Sequence, residues 1–436
     1  MNILFVYSFN RLWNHFADMS PHRSVFVTFR REYAHEPVGP LYVFSNKKLL
    51  RSSSKILSDT ELLNSFQYTR SLKLMHGGDR RVIEIGRRYE GFYESLFDKE
   101  QIECIMNWNN AYGFQQIGHR LAQKLGIKTF VMEGGLFRPY TLSLETNGIN
   151  AFSVMCQWDG SSNIQDQESP SFKVLKEMYF AQREDERTKK PSLIAPHRSP
   201  MERMLKELKQ RCMYDLFDIE TVPHRWLKRL CKILVRRMLA DRSFMPQKGE
   251  KVFTFFLSSV YDPQLDIPTH DTITKHLTAV LEGFQLFRRS HPEFRLLIKE
   301  HPLDESRSLF WNLYRQNNKN NVRWTIQNSN QLISISDGVI TINSTVGIDA
   351  LMLEKPVLCL GHSCYQHEGI TIPCSELFSA ESVATALEQL ATMKSDRTAV
   401  DLFLSAVYEK TQLPLWQNSN GEDGLKQGLL SYLRDI

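Results

Sequence analysis

The chain has 436 residues, 42% of them apolar and 24% charged, which excludes a disordered or low-complexity protein and gives a core that needs no disulfide or metal staple. Lys and Arg number 54 against 49 Asp and Glu, a formal charge of +5; that admits phosphate or an acidic membrane face as a partner without demanding either. The seven cysteines are an odd number with no CxxC spacing, which indicates free thiols in a reducing compartment.

The first apolar run, residues 3–7, has no basic flank and ends at Ser8, so it reads as a buried strand and not as a secretory leader. No stretch approaches the roughly 18 apolar residues of a spanning helix, so a cytoplasmic protein is expected. No repeat of 20–50 residues is present. Residues 24–29 and 41–44 read as further strands, and a charge-rich helical stretch runs from about 59 to 97. Residues 102–108 form a strand, Asn109-Asn110 a loop, 111–125 a helix stopped by Gly126, and 128–132 a strand. That succession is a βαβ unit and predicts a parallel sheet.

Residues 160–200 are polar, carry Arg183-Glu184-Asp185-Glu186-Arg187, and contain Pro191, Pro196 and Pro200, as a linker or long surface loop would. Residues 201–243 are helical and strongly basic. A second α/β pattern follows, with strands at 252–257, 294–299, 322–326, 338–342 and 356–360. Helices at 270–290, 305–316, 331–336 and 346–353 alternate with them, and a helix at 381–393 closes the pattern. The expected organisation is α/β: a Rossmann-like domain over 1–200, a basic helical connector over 201–248, and a second Rossmann-like domain over 249–395. Residues 396–436 are expected as helices crossing back to the first domain. Two such domains facing across a cleft make a GT-B architecture, with ligands at the carboxyl ends of the parallel strands.

Chemistry-bearing residues gather at those strand ends. Asn343-Ser344-Thr345 stands where a strand turns into a helix; backbone N–H groups and two hydroxyls there suit a phosphate, and Gly347 lets the first turn pack closely. The competing reading is an N-cap by Ser344 or Thr345 that serves only the helix. Lys299-Glu300-His301-Pro302 follows another strand. His301 there suits donation to a phosphate or protonation of a leaving group, and Lys299 suits a phosphate or carboxylate. His301 and Ser344 are expected at adjacent strand ends. In the first half, Glu133 ends a strand beside Gly134-Gly135, placed for a catalytic base or nucleophile, and Arg138 suits capture of a carboxylate or phosphate. A capped turn and a structural Glu133–Arg138 ion pair are the alternatives. Asp159 and Asp262 are fallback carboxylates.

These blocks, in order, resemble the capsule polysaccharide biosynthesis family, the β-Kdo transferases that build the lipid-linked Kdo stub of bacterial capsules. Asn107-Trp108-Asn109 resembles its strand-end asparagine, Glu133-Gly134-Gly135-Leu136-Phe137-Arg138-Pro139 its E-x-G-x-x-R-P block, and Lys299-Glu300-His301-Pro302 its K-x-H-P block. Asn343-Ser344-Thr345-Val346-Gly347 with Asp349-Ala350-Leu351 and Lys355-Pro356-Val357 resembles its longest block, and Ser258 to Asp262 a nucleotide-side loop. The matching regions span about residues 100–370. The resemblance implies a GT-B enzyme that moves Kdo from CMP-Kdo to a lipid or lipid-linked acceptor, with no cofactor and no metal. It places His301 on the CMP phosphate, and Ser344 and Thr345 around that phosphate. Lys299, Asn343, Gly347, Ser258 and Asp262 lie on the donor side. Glu133 falls at the reacting carbon of a retaining transfer, and Arg138 and Asn109 are on the sugar carboxylate or acceptor. Some relatives carry a second acid before the glycine, where this chain has Gly134.

Two other readings stay open: a CDP-alcohol transferase of the CDP-glycerol kind, and a non-catalytic partner that binds CMP or lipid in a capsule assembly complex. The Cys359 to His367 segment has soft-ligand residues at short spacing, but Cys359 sits inside an apolar strand, against a metal site. Residues 225–242 interleave Arg225, Lys228, Arg229, Lys232, Arg236, Arg237 and Arg242 with apolar residues, the pattern of a helix on an anionic membrane surface or of a packed helix with a solvated basic face. No nucleic-acid-binding motif accompanies that charge.

Overall fold

The computed structural model describes residues 1–6, 17, 22–28, 39–44, 54–66, 78–108, 112–146, 148–159, 168–184, 240–258, 271–301, 321–374 and 379–415. Those residues form two compact α/β units. The first draws on Met1–Ile149, Val174–His224 and Thr411–Ile436, and the second on Asn150–Lys173 and Arg225–Lys410.

The chain begins β1 (Asn2–Val6), β2 (Arg23–Thr28), β3 (Leu41–Val43), α1 (Asp59–Ser65), α2 (Asp79–Glu100), β4 (Cys104–Trp108), α3 (Gly113–Lys124), β5 (Lys128–Gly134) and β6 (Thr141–Glu145). Two short 3₁₀ turns and α4 (Pro170–Glu184) follow. The second unit carries β7 (Lys251–Phe256), α5 (Asp271–Phe287), β8 (Phe294–Lys299), β9 (Val322–Thr325), α6 (Ser329–Ile335) and β10 (Gly338–Thr341). It continues with α7 (Val346–Met352), β11 (Val357–Cys359), β12 (Ile372–Pro373), α8 (Ala380–Thr392) and α9 (Arg397–Thr411), and β13 (Gln412–Pro414) comes last.

The first unit holds a seven-stranded sheet in the order β3-β2-β1-β4-β5-β6-β13. Its central strands are mostly apolar because both faces are covered. Leu4 and Val6 point into one core with Leu62, Tyr89, Tyr93 and Phe114 of the helices. Ile3 and Phe5 point into the other with Phe26, Met106, Met132 and Leu413. Among the described residues, the helical stretch expected over 59–97 holds two separate helices. Ser58 and Glu61 form a capping box at the start of α1, which stops at Phe66, and α2 starts afresh after Gly78. The sheet is mixed, not purely parallel: β6 runs antiparallel to β5. The loop joining them is too short for a crossover, so the chain has to return as a hairpin. β13 pairs antiparallel with β6 at the edge, bringing Gln412, Leu413 and Pro414 opposite Ser143, Leu142 and Thr141.

The second unit holds six parallel strands in the order β12-β11-β10-β7-β8-β9. Read from the other edge, this is the doubly wound order with β7 as its first strand. The winding reverses between β7 and β10, and such a reversal leaves a crevice beyond the strand ends. Phe253, Phe255, Leu296, Ile298, Ile340 and Leu358 supply the sheet's side of one core, against Leu277, Val280 and Phe284 of α5 and Val383 and Leu387 of α8. Expected strand and helix limits fall within a residue or two of those found, apart from the far end of the helix after β7. The helix expected over 305–316 lies outside the described residues.

Candidate functional site

In the second unit, pairing sets Phe256, Lys299 and Thr341 level across β7, β8 and β10. Ser258, His301 and Asn343 each stand two residues past that row, so three of the polar residues chosen from the sequence leave the sheet together. His301 and Ser344 are not at adjacent strand ends, however, because β7 lies between β8 and β10 and separates their backbones by about 10 Å. The succession of strands along the chain does not reveal on which side of β7 each successor is laid down. Ser258 occupies the centre instead. Its Oγ donates to Oδ1 of Asn343 at 3.3 Å, and both side chains are buried, at the point where the winding reverses.

The turn from β10 into α7 is held from several sides. The Ser344 N–H donates to Oγ1 of Thr341 at 3.3 Å and the Val346 N–H to Oγ of Ser344 at 3.4 Å. Both are long for hydrogen bonds. Thr345 occupies the N-cap position with helical torsions and no side-chain capping bond, so its hydroxyl does not serve the helix. Sequence reasoning missed two supports. The Tyr365 hydroxyl, on a fully buried side chain, donates to the Ser344 carbonyl at 2.6 Å. Its ring fills the space beside Gly347, where a Cβ would lie 2.5 Å from the ring, so the close approach that Gly347 permits is to Tyr365. Burial keeps that hydroxyl protonated by raising its pKa well above the ordinary value. The other support is Asn150, at φ +53°, whose Nδ2 donates to the Asn343 carbonyl at 2.9 Å and whose Oδ1 accepts from the Cys364 N–H at 3.4 Å. The signal for Asn150 was Gly148 two residues earlier and the tolerance of asparagine for left-handed torsions. Nearby, Nε2 of His367 faces the carbonyls of Met155 at 2.8 Å and Cys364 at 3.0 Å. Two carbonyl acceptors require the proton on Nε2.

In the first unit, β5 carries Glu133 one residue before its end, opposite Ser143 on β6. Alternation sends Met132 into the core and Glu133 to the other face. Gly135 turns the chain tightly: its N–H donates to the Thr141 carbonyl at 3.0 Å, and a Cβ there would lie 2.1 Å from Oγ1 of Thr141. Arg138 folds back over the loop, its Nε donating to the Gly135 carbonyl at 3.0 Å and Nη2 to the Gly134 carbonyl at 3.4 Å. Bidentate capture of an acid therefore requires the guanidinium to turn away from these carbonyls. At Gly134 a Cβ would meet the guanidinium at 3.6–3.8 Å, ordinary contact, so the loop has room for a side chain there. Asn107, buried near the end of β4 where the first sheet reverses its own winding, has no hydrogen-bond partner on either amide atom among the described residues.

Asn109, Asp262, Pro302 and residues 225–239 of the basic stretch lie outside the described residues. Asp159 is exposed in the second unit. The Cys359 thiol is buried in β11 against the Ser363 hydroxyl and the Gly361 carbonyl, and burial pushes it up to about 11. Among the described residues no group of three or more His, Cys, Asp or Glu is placed to hold a metal ion, and no helix is long and apolar enough to cross a membrane.

Two Rossmann-like α/β units, the second with a buried Ser–Asn pair and a hydroxyl-rich turn at its switch point, place the protein in the doubly wound α/β class. The chain belongs to the capsule polysaccharide biosynthesis protein family, whose model matches residues 103–394. It is 22% identical over 329 residues to the capsule polysaccharide export protein KpsS of Escherichia coli, covering 68% of this chain and 79% of that protein. It is 24% identical over 307 residues to the capsule polysaccharide modification protein LipB of Neisseria meningitidis, covering 64% and 68%. Among solved structures, a β-Kdo 2,4-transferase of Thermosulfurimonas dismutans KpsC matches at 17% identity with a TM-score of 0.40, over 77% of this chain and 88% of that one.

Proposed function

We propose that this protein is a glycosyltransferase that moves Kdo from CMP-Kdo to a lipid or lipid-linked acceptor in capsule polysaccharide synthesis. The observation that carries the reading is the level array of Ser258, His301 and Asn343 beyond β7, β8 and β10, inside the region the family model covers. In this reading the CMP phosphate lies against the Asn343–Thr345 turn. The weakly engaged N–H groups of Ser344 and Val346 and the Thr345 hydroxyl turn toward it, and His301 and Lys299 offset the charge that grows on the departing phosphate. Glu133 attacks the ketosugar carbon as the C–O bond to phosphate breaks and its electron pair leaves with CMP; the acceptor hydroxyl then bonds to that carbon, the bond to Glu133 breaks to return the carboxylate, and the hydroxyl proton passes to solvent. Arg138 turns from the loop carbonyls to the sugar carboxylate. The reading also sets the protein on the cytoplasmic face of the membrane, where the basic composition of residues 225–242 suits anionic lipid.

The test is CMP release by the purified protein with CMP-Kdo, CMP-sialic acid and CDP-glycerol, each with a lipid extract as acceptor. Release from CMP-Kdo alone is expected, and His301→Ala should cut it at least tenfold in a protein that stays folded. Release from CDP-glycerol alone, or undiminished turnover by His301→Ala, overturns the assignment. Gly134 favours a second reading, a non-catalytic partner that binds CMP without transfer. In that case wild-type protein stays silent with every donor while still binding CMP. Gly134→Glu, whose Cβ would meet only ordinary contacts, then tests whether the missing acid is the reason.

A further inference from the structure

The loop that follows Glu133 is fixed by a residue that stands almost three hundred positions away in the sequence. Gln412, the first residue of β13, is buried, and its side-chain amide is saturated. Oε1 accepts from the Leu136 N–H at 2.8 Å and from Oγ1 of Thr141 at 2.8 Å. Nε2 donates to Oγ of Ser143 at 2.9 Å, to Oγ1 of Thr411 at 2.9 Å and to the Thr411 carbonyl at 3.1 Å. An amide has two donor hydrogens and two acceptor lone pairs, and all of them are used here. Oγ1 of Thr141, held by Gln412, takes the Phe137 N–H at 3.3 Å in turn.

Register adds a second constraint. Gln412 lies opposite Ser143, and Ser143 lies opposite Glu133, so the three form one row across β13, β6 and β5. Directly opposed residues of antiparallel strands project from the same face. The Gln412 amide therefore grips both sides of the Glu133–Arg138 loop: the Leu136 N–H past the glycine turn, and the hydroxyl that neighbours Glu133 in the row. A buried, fully satisfied polar network of this kind fixes one geometry, and an apolar side chain of the same size would not.

We propose that Gln412 is a positioning residue that sets the Glu133–Arg138 loop for transfer. The proposal rests on the reading of that loop as the reacting one. Gln412→Met keeps the length and removes every hydrogen bond. The expected result is faster hydrogen exchange over residues 134–140 and a kcat lowered at least tenfold, with the KM for CMP-Kdo and the affinity for CMP within twofold of wild type. Gln412→Glu keeps the acceptor for Leu136 and Thr141 but sets a second oxygen against the Thr411 carbonyl, so it should recover part, and not all, of the protection of 134–140 and of kcat. Should Gln412→Met fail to fold, Gln412→Asn carries the same expectations, because it is one methylene too short to reach Leu136 and Ser143 together. Unchanged exchange over 134–140 overturns the proposal. So does faster exchange with unchanged kcat when Glu133→Gln is inactive. If Glu133→Gln is fully active, the reading of the loop as reacting is what fails.

Discussion

A single methyl group at Gly347 would press the turn between β10 and α7 against its own support. A Cβ there would lie 2.5 Å from Cζ of Tyr365, 2.6 Å from Cε2 and 2.7 Å from the hydroxyl oxygen. Carbon atoms in contact prefer about 3.5–4.0 Å, so the ring or the first turn of α7 has to move by roughly 1 Å. Tyr365 is fully buried and bonded to the Ser344 carbonyl, so the ring cannot swing into solvent. Overpacking of this kind costs about 1–3 kcal/mol. Loss of the Tyr365–Ser344 hydrogen bond adds about 1 kcal/mol. Gly347→Ala should therefore destabilise the second unit by roughly 2–4 kcal/mol in urea denaturation. Because Ser344 and Thr345 shift with the turn, CMP affinity measured by calorimetry should fall by about tenfold or more, the equivalent of roughly 1.4 kcal/mol. Tyr365→Val opens the space the methyl group needs, so the double variant should be more stable than the two single losses predict, by about 1 kcal/mol. Wild-type stability in Gly347→Ala, or strict additivity in the double variant, refutes the packing argument. Lost stability with unchanged CMP affinity refutes the link between the turn and the nucleotide.

Two further perturbations test the supports around the sites. Asn150→Gly keeps the left-handed torsion but loses both side-chain bonds, and should cost about 2 kcal/mol together with a severalfold loss of CMP affinity. Asn150→Ala should cost about 1 kcal/mol more, because alanine is strained at φ +53°; equal stabilities for the two variants would contradict this. In the first unit, burial on α3 pushes the His119 imidazole down from 6.5 to about 4. The fold thus holds the neutral ring while the unfolded chain takes up a proton. The contribution is complete above pH 6.5 and is lost as the pH falls toward 4, worth roughly 3 kcal/mol. Denaturation of wild type and His119→Leu across that range should show the wild type losing this much relative to the variant, and parallel pH profiles would exclude it.

Much of the second unit is legible in the sequence. The limits of β8 coincide with the strand expected over 294–299, and the strands on either side of the Asn343 turn stand within a residue or so of expectation. These features are local: apolar periodicity marks a strand, and a polar turn with glycine marks where a helix starts. The resemblance to the capsule family was carried by short, contiguous blocks for the same reason. The helical stretch expected over 59–97 carries helices, but charge and periodicity do not mark where α1 stops at Phe66 or where α2 starts after Gly78.

The sequence by itself determined which residues leave which strand ends: Glu133 after an apolar run beside two glycines, His301 after β8, Ser344 after β10. Only the tertiary structure decided who their neighbours are. Inserting β7 between β8 and β10 put Ser258, and not His301, beside Asn343. Closing β5 and β6 as a hairpin and adding β13 at the edge put Gln412 against Leu136 and in one row with Glu133. Strand order and register are settled by which apolar faces pack best over the whole sheet, through contacts between residues far apart in the chain, and no local pattern of residues encodes that choice.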